Sequence, residues 1–244
     1  MKLHGPRLAS VLGSLLLLLS ATTIQAQTSR TDFLLPLERE IIEEINLARS
    51  NPAQYAAHLE QLKSYYSGME IKRPGQTVEV TTEGVRAVEE AIKFLRGMKP
   101  LPPYSVYQGM CLAAKDHLKD LGKTGSTGHK GSDGSIPEDR LSRYGAWRNT
   151  VGENIVYGSS TARETVMGWI IDDGNPTRGH RLNIFSNNFS AMGIALGERS
   201  SYGTMCVNTF AGGFAERAAG PATGSAGQQP QSKGSGKPAA VRKF

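Results

Sequence analysis

An α+β sandwich is the fold class this sequence predicts, on three observations. Helical apolar stripes fill the first half, strand-like alternation is confined to the end, and no repeating strand–helix pattern of the nucleotide-binding kind joins them. Pro36 opens the first stripe, with Leu37, Ile41, Ile42, Ile45 and Ala48 on one face. Asn51-Pro52 restarts a helix as N-cap and first residue, turning Tyr55, Ala56, Leu59 and Leu62 inward. The polar, Gly/Pro-containing stretch from Ser67 to Thr77 reads as a loop. Thr82 starts a third helix in which Val85, Val88, Ile92 and Leu95 share a face, closed by Gly97 and Pro100. Leu101-Pro102-Pro103 is a stiff connection into a helix carrying Cys111, Ala114, Leu118 and Leu121, which stops at Gly122. Glycine dominates from Lys123 to Ser135, so His129 lies on a loop, and Ser135 with Glu138 makes a capping box for a short helix through Arg143. Val151 to Tyr157 reads as a strand carrying Glu153. Thr161 and Glu164 form a second capping box, for a helix through Ile171 that ends at Asp172-Asp173-Gly174. The helix dipole disfavours carboxylates at that end, which implies a local reason to keep them there. Finally Met192, Ile194 and Leu196, then Met205, Val207 and Thr209, alternate as two antiparallel strands joined near Glu198 to Tyr202.

The two ends read differently from this core. Lys2 and Arg7 precede an apolar run from Leu8 to Leu19 and a small-residue exit at Ala26, so residues 1–26 read as a secretion signal cleaved after Ala26. The run is too short for a stable transmembrane anchor, and the mature chain is expected in a periplasm or outside the cell. Residues 215–244, rich in Gly, Pro, Ser and Gln, read as a flexible tail, which leaves residues 27–214 as one domain with a full core. The net charge of +6 comes from these ends. Seven of the 28 Lys and Arg residues and one of the 22 acids lie in them, so the domain carries 21 of each. A neutral domain gives no footprint for nucleic acid, while the basic tail suits weak contact with anionic envelope polymers. The chain is read as a monomer. Cys111 and Cys206 are the only cysteines, and in an oxidising compartment a disulfide and two buried thiols both fit the sequence.

Chemistry concentrates in four short segments of the second half. They are Gly128-His129-Lys130-Gly131, Gly152-Glu153-Asn154-Ile155, Trp169-Ile170-Ile171-Asp172 and Gly179-His180-Arg181. His129 and His180 are suited to hold a metal or move protons near neutral pH, with Glu153 and Asp172 orienting or charge-balancing them. Two imidazoles supply half of a zinc ion's coordination, so weak zinc binding completed by carboxylate or water is the expectation. No His-Glu-x-x-His segment points to a zinc protease of the usual helical kind, and Asp172-Asp173-Gly174-Asn175 lacks calcium-loop spacing. Ser126 and Ser132 neighbour His129, but no Gly-x-Ser-x-Gly elbow is present. Asn188-Phe189-Ser190 is a glycosylation sequon, relevant only in a glycosylating host. Tyr144, Trp147 and Trp169 read as core or cleft wall.

In this order, these segments resemble the CAP superfamily, the SCP-like proteins that include cysteine-rich secretory proteins, antigen 5 and plant pathogenesis-related proteins. The resemblance runs from about Leu37 to Phe214, including Glu44-Ile45-Asn46-Leu47-Ala48-Arg49 and Asn51-Pro52, and is similar to the bacterial secreted branch, with Gly-His-Arg where many eukaryotic members carry Gly-His-Tyr. It implies a three-layer α-β-α sandwich with a small, mainly antiparallel sheet and a cleft gathering His129, Glu153 and His180. The family's second acid falls at Asp172, where glutamate is usual. The resemblance also implies a lipid or sterol ligand, while the missing cysteine-rich extension removes any expectation of ion-channel regulation. A secreted metal- and lipid-binding module is therefore the first reading. A hydrolase of peptide or envelope material, using Glu153, His129 or His180, is the second, and an interaction protein whose tetrad only pins loops is the third.

Overall fold

A computed structural model describes residues 32–159, 161–199 and 203–217. The predicted signal segment and nearly all of the predicted tail lie outside those residues. The first helices follow the apolar stripes: α1 spans Pro36–Ser50, α2 Pro52–Lys63 with Asn51 as N-cap, and α3 Val85–Gly97. Helix α3 starts three residues later than Thr82. Gly84 takes φ 65, a left-handed conformation open to glycine, and the Thr82 and Glu83 N–H groups instead donate to the Asp173 carboxylate at 2.6 and 2.8 Å. The segment expected to be a loop, Ser67 to Thr77, contains β2 (Glu70–Ile71), which pairs with β1 (Tyr66–Ser67) at its start and β3 (Glu79–Val80) just beyond its end in a small antiparallel sheet.

After the short β4 (Ser105–Val106), α4 runs over Gln108–Thr124. It passes through Gly122 and ends where Gly125 adopts φ 72, so the left-handed cap falls three residues beyond the predicted one. Helix α5 (Pro137–Tyr144) is capped at Ile136, whose N–H donates to Asp139 at 3.1 Å, one residue beyond the predicted Ser135–Glu138 box. At α6 (Ala162–Ile171) the Thr161 hydroxyl accepts from the Glu164 N–H at 3.2 Å, as expected of an N-cap. A short α7 covers Gly179–Ile184. The remaining strands are β5 (Gly145–Tyr157), β6 (Ala191–Arg199) and β7 (Gly203–Glu216), the last running two residues into the predicted tail.

These strands form a mainly antiparallel sheet in the order β4-β6-β7-β5, with only β4 and β6 parallel. Strand alternation divides its side chains between two helical layers. Met192, Ile194, Cys206 and Phe210 join the core of α1, α2, α3 and α6. On the other face Ala195, Met205, Val207 and Ile155 pack with Ala114 and Leu121 of α4, and Ala191, Ala211 and Phe214 with Met110 and Leu141. The result is a three-layer α-β-α sandwich, the fold class expected.

Helix α4 comes unusually close to the sheet at Gly193. A Cβ there would stand 2.3 Å from the Met110 carbonyl carbon and 2.4 Å from the Cys111 nitrogen. Cys111 and Cys206 are separate buried thiols rather than a disulfide. The Cys111 sulfur faces the Ile194 N–H at 3.3 Å, while Cys206 lies on the next strand among the residues facing the α1 layer. Burial pushes the Cys111 thiol up to about 12. On the α1 side, buried Arg49 donates to the carbonyls of Pro102, Ile184 and Ser186 at 2.9, 2.6 and 3.2 Å, with its guanidinium 3.6 Å from the Tyr104 ring centre. This fastens α1 to two loops.

Two glycines make the packing testable. Gly193→Ala should destabilise the domain by about 3 kcal/mol or more in urea unfolding, because its Cβ meets backbone that cannot rotate away. Gly122→Ala, inside α4 and facing open space, should instead add about 0.5–1 kcal/mol.

Candidate functional site

Glu153 and Asn154 are consecutive residues of β5, so their side chains leave opposite faces of the strand. Each leads to one imidazole–carboxylate pair beside this edge strand. On the α4–α5 face, His129 Nδ1 meets Glu153 Oε1 at 2.9 Å. On the other face, His180 Nδ1 meets Asp172 Oδ1 at 2.7 Å, and the Asn154 amide donates to the His180 carbonyl at 3.0 Å.

The His129 loop is held from several sides. Gly128 takes φ 91 just before it, and the Gly131 N–H donates to the Ser135 carbonyl at 2.8 Å. Asp120 of α4 accepts from both the N–H and the hydroxyl of Ser132. The main fastener is Arg140 of α5, 1% exposed. It reaches both Glu153 oxygens at 3.0 and 2.8 Å, the His129 carbonyl at 3.2 Å and the Ser135 carbonyl at 3.0 Å. Glu153, 6% exposed, thus meets a buried guanidinium and an imidazole at once. His117 of α4 completes the group, with Nε2 2.9 Å from the Gly128 carbonyl oxygen and 3.7 Å from Glu153 Oε1. Burial, outweighing the Glu153 carboxylate, holds the His117 pKa below its ordinary 6.5.

Asp172 owes its position to the end of α6. It is the C-cap, with φ 55 and ψ 46, and its two oxygens accept from the ring and the backbone N–H of His180, the latter at 2.9 Å. This is the local partner that offsets an acid at the negative end of a helix. Two arginines meet that end as well. Arg178 donates to the Asp172 carbonyl at 2.8 Å, and Arg181 to the carbonyls of Ile170 and Ile171. Both are tied to α3 and the turn before it: Arg178 to Glu83 and Glu90, and Arg181 to Glu90 at 2.8 Å. The Arg178 guanidinium, with help from the Gly174 N–H, pulls the Glu83 carboxyl down to about 2. Asn183 of α7 ties the halves together, donating to the Asn154 side-chain oxygen at 2.8 Å. Gly152 leaves room for this approach, since a Cβ there would stand 2.8 Å from Phe189 and 3.2 Å from Asn183.

All four residues singled out in the sequence are therefore engaged in pairs around β5. The Ser132 hydroxyl is turned to Asp120, away from His129. Trp169 is buried, Trp147 donates to Ser142, Tyr144 donates to Asp116, and Asn188 is exposed. Arg140, His117, Asn154, Asn183 and Arg178 were not among the expected site residues. His117 had a signal, one turn from Ala113 and Ala114 and four residues before Leu121 on the apolar face of α4. Arg140, a charged residue in a polar helix, had none. Among the described residues no group of three or more His, Cys, Asp and Glu is placed to hold a metal ion.

A helix-covered sheet whose edge strand anchors both imidazole–carboxylate pairs makes this an α-β-α sandwich domain with one histidine-bearing site. The chain belongs to the CAP family, the Cysteine-rich secretory protein family, whose model matches residues 89–210 and so spans all four site residues. It is 28% identical over 109 residues to the uncharacterized protein YkwD of Bacillus subtilis, a match covering 45% of this chain and 39% of that protein. The chain thus spans well under half the length of that relative. Among solved structures it is similar to an outer surface protein from Borrelia burgdorferi, at TM-score 0.40 and 17% identity over 52% of this chain and 86% of that one. It is also similar to an extracellular protein containing a SCP domain from Bacillus anthracis, at TM-score 0.37 and 23% identity over 46% of this chain and 34% of that one.

Two outcomes follow from the Glu153 environment. Arg140→Met and Glu153→Leu should each cost about 3–5 kcal/mol, because each leaves a buried charge unpaired, and the double variant should be more stable than either single one. Chemical denaturation of the three variants checks this. The lowered His117 pKa means the unfolded chain takes up a proton near pH 6.5 that the folded chain refuses. Stability is then complete above about pH 6.5 and declines as pH falls toward the folded pKa. Urea midpoints should fall over that window, while the His117 ring NMR signals stay those of a neutral imidazole at pH 6.5.

Proposed function

We propose that this CAP domain is an exported binding module whose cleft takes a divalent metal, zinc by donor type, on the Nε2 atoms of His129 and His180. The observation that carries the reading is that both imidazoles commit Nδ1 to a carboxylate, which turns Nε2 away as the ligating atom. A carboxylate on the far nitrogen fixes a metal-binding imidazole's tautomer and orientation and raises its basicity. Glu153 and Asp172 fill that role and are not themselves ligands. With two imidazoles and no third His, Cys, Asp or Glu placed beside them among the described residues, water completes the coordination and affinity is modest. When bound, the ion supplies a Lewis-acid centre for a carbonyl- or phosphoryl-bearing ligand. The chain's own residues orient: Arg140 fixes Glu153, and the Asp172–His180 backbone contact fixes the second ring.

The same contacts disfavour the hydrolase reading. Glu153 has both oxygens engaged by Arg140, and the neighbouring Ser132 hydroxyl serves Asp120. Export rests on the Lys2–Ala26 sequence pattern, and no helix among the described residues is long and apolar enough to cross a membrane. A lipid or sterol ligand rests on the family alone.

Zinc titration by calorimetry tests the metal site. Binding should vanish in His129→Ala and in His180→Ala, and fall about 10–100-fold in Asp172→Asn with the fold intact by circular dichroism. Undiminished zinc uptake by the His129→Ala, His180→Ala double variant would refute the reading.

A further inference from the structure

Gly152 and Asn154 flank Glu153 on β5, and Asn183 of α7 lies against all three. Asn154 is fully buried, and its side-chain Nδ2 donates to the His180 carbonyl at 3.0 Å. The Asn183 amide donates in turn to Asn154 Oδ1 at 2.8 Å and reaches the Glu153 carbonyl at 3.5 Å. The direction of this chain of contacts is forced. Main-chain carbonyls stand at both ends and can only accept, so Asn154 must turn Nδ2 to His180 and Oδ1 to Asn183, and Asn183 must present Nδ2 to both of its acceptors. An aspartate at either position lacks the donor. Asn183 is itself held from behind, because its carbonyl accepts from the Tyr104 hydroxyl at 2.8 Å. Gly152 admits it, since a Cβ there would stand 3.2 Å from Asn183 Oδ1.

These contacts join the two histidines through one dipeptide. The path leaves His129 by the Glu153 side chain, follows the main chain to Asn154, and ends on the His180 carbonyl. His180 is thereby held at three points. Its ring Nδ1 and its backbone N–H meet Asp172 at 2.7 and 2.9 Å, and its carbonyl meets Asn154. Asp172 ties the ring to the end of α6, whereas the asparagines tie it to the strand that carries Glu153. A two-imidazole site depends on that second tie, because one ion is captured only if both Nε2 atoms stand at about 2.0–2.1 Å from it at once. We propose that Asn154 and Asn183 are positioning residues of the metal cleft, setting where His180 stands relative to His129 and so the affinity for the ion; this rests on the metal reading above. Gly152-Glu153-Asn154 then works as a unit: the glycine admits Asn183, the glutamate orients His129, and the asparagine places His180.

The test combines zinc calorimetry with NMR of the histidine rings in the metal-free, isotope-labelled full chain. Asn154→Ala and Asn183→Ala should each weaken zinc binding, the first by about 10–100-fold, as for other partners that orient metal-bound imidazoles. Asn154→Asp, which keeps the shape and loses the donor, should do no better than alanine. Because the two residues act in series, the double variant should lose no more affinity than Asn154→Ala alone. Without metal, Asn154→Ala should move the His180 ring signals and leave those of His129, held by Glu153, where they were. A role in stability alone gives another pattern, a lower urea midpoint with zinc affinity and the His180 ring unchanged. Leu59→Ala, a truncation in the core of α2, should show that pattern. Should Asn154→Ala fail to fold, Asn183→Ala carries both measurements. Undiminished zinc affinity in both single variants, or unmoved His180 ring signals, overturns the proposal. A wild-type chain that takes up no zinc refutes the metal reading instead, and the ring signals then decide whether the asparagines place His180.

Discussion

The alternation of side chains along β5 is the constraint on which the site depends. Because the strand's period is two residues, Glu153 and Asn154 cannot share a face, and this edge strand anchors the His129 loop through one and the His180 segment through the other. The register is set by pairing with β7, Glu153 opposite Thr209 and Asn154 opposite Asn208. A slip of one residue would exchange the faces. Glu153 would then leave Arg140 and His129 for the α7 side, and a buried guanidinium would lose its countercharge. The cost of that unpaired charge acts against the slip, so the buried ion pair specifies register as well as holding the loop.

Arginine has a second structural role throughout the molecule. Arg49, Arg140 and Arg181 are at most 2% exposed, and all three donate to main-chain carbonyls of helix ends or loops. Five fixed donors on a planar group let one side chain satisfy several such carbonyls at once, which lysine cannot do. The clearest instance is the end of α6. Arg178 and Arg181 bring positive charge to the negative pole of the helix and are neutralised by Glu83 and Glu90. Asp172 can then sit among positive groups at a position that would otherwise repel it. The near-neutral charge of the domain conceals this pairing.

What was legible in the sequence follows the range of the physics behind it. The helical stripes, the Asn51-Pro52 restart and the Thr161 cap are local signals, and each falls at or next to its expected place. The four site residues were legible because short glycine-bounded motifs carry them in fixed order. Boundaries went astray where tertiary contacts decide between local options. Gly122 and Gly125 are both adequate helix stops, and α4 continues past the first. Thr82 looked like a helix start, but Asp173, ninety-one positions away, claims its N–H. The Ser67–Thr77 stretch holds two-residue strands that carry no periodic signal. Arg140 is the deeper case, since its importance comes from burial that no local pattern in α5 encodes for a charged side chain, whereas His117 sits on the apolar face of α4.

Those two residues also change what the cleft can do. A carboxylate acting as a general base must release one partner to take another, and for Glu153 that would leave a buried Arg140 guanidinium, whose Nε already lacks an acceptor, without its carboxylate as well. The arrangement that makes Glu153 a poor proton carrier makes it a good fixed dipole, holding one imidazole in one tautomer and one direction. Asp172 is locked in the same way by a backbone N–H as well as the ring. Rigid imidazoles with committed Nδ1 atoms suit capture of an ion or polar ligand at Nε2 better than a catalytic cycle, which requires those hydrogen bonds to exchange.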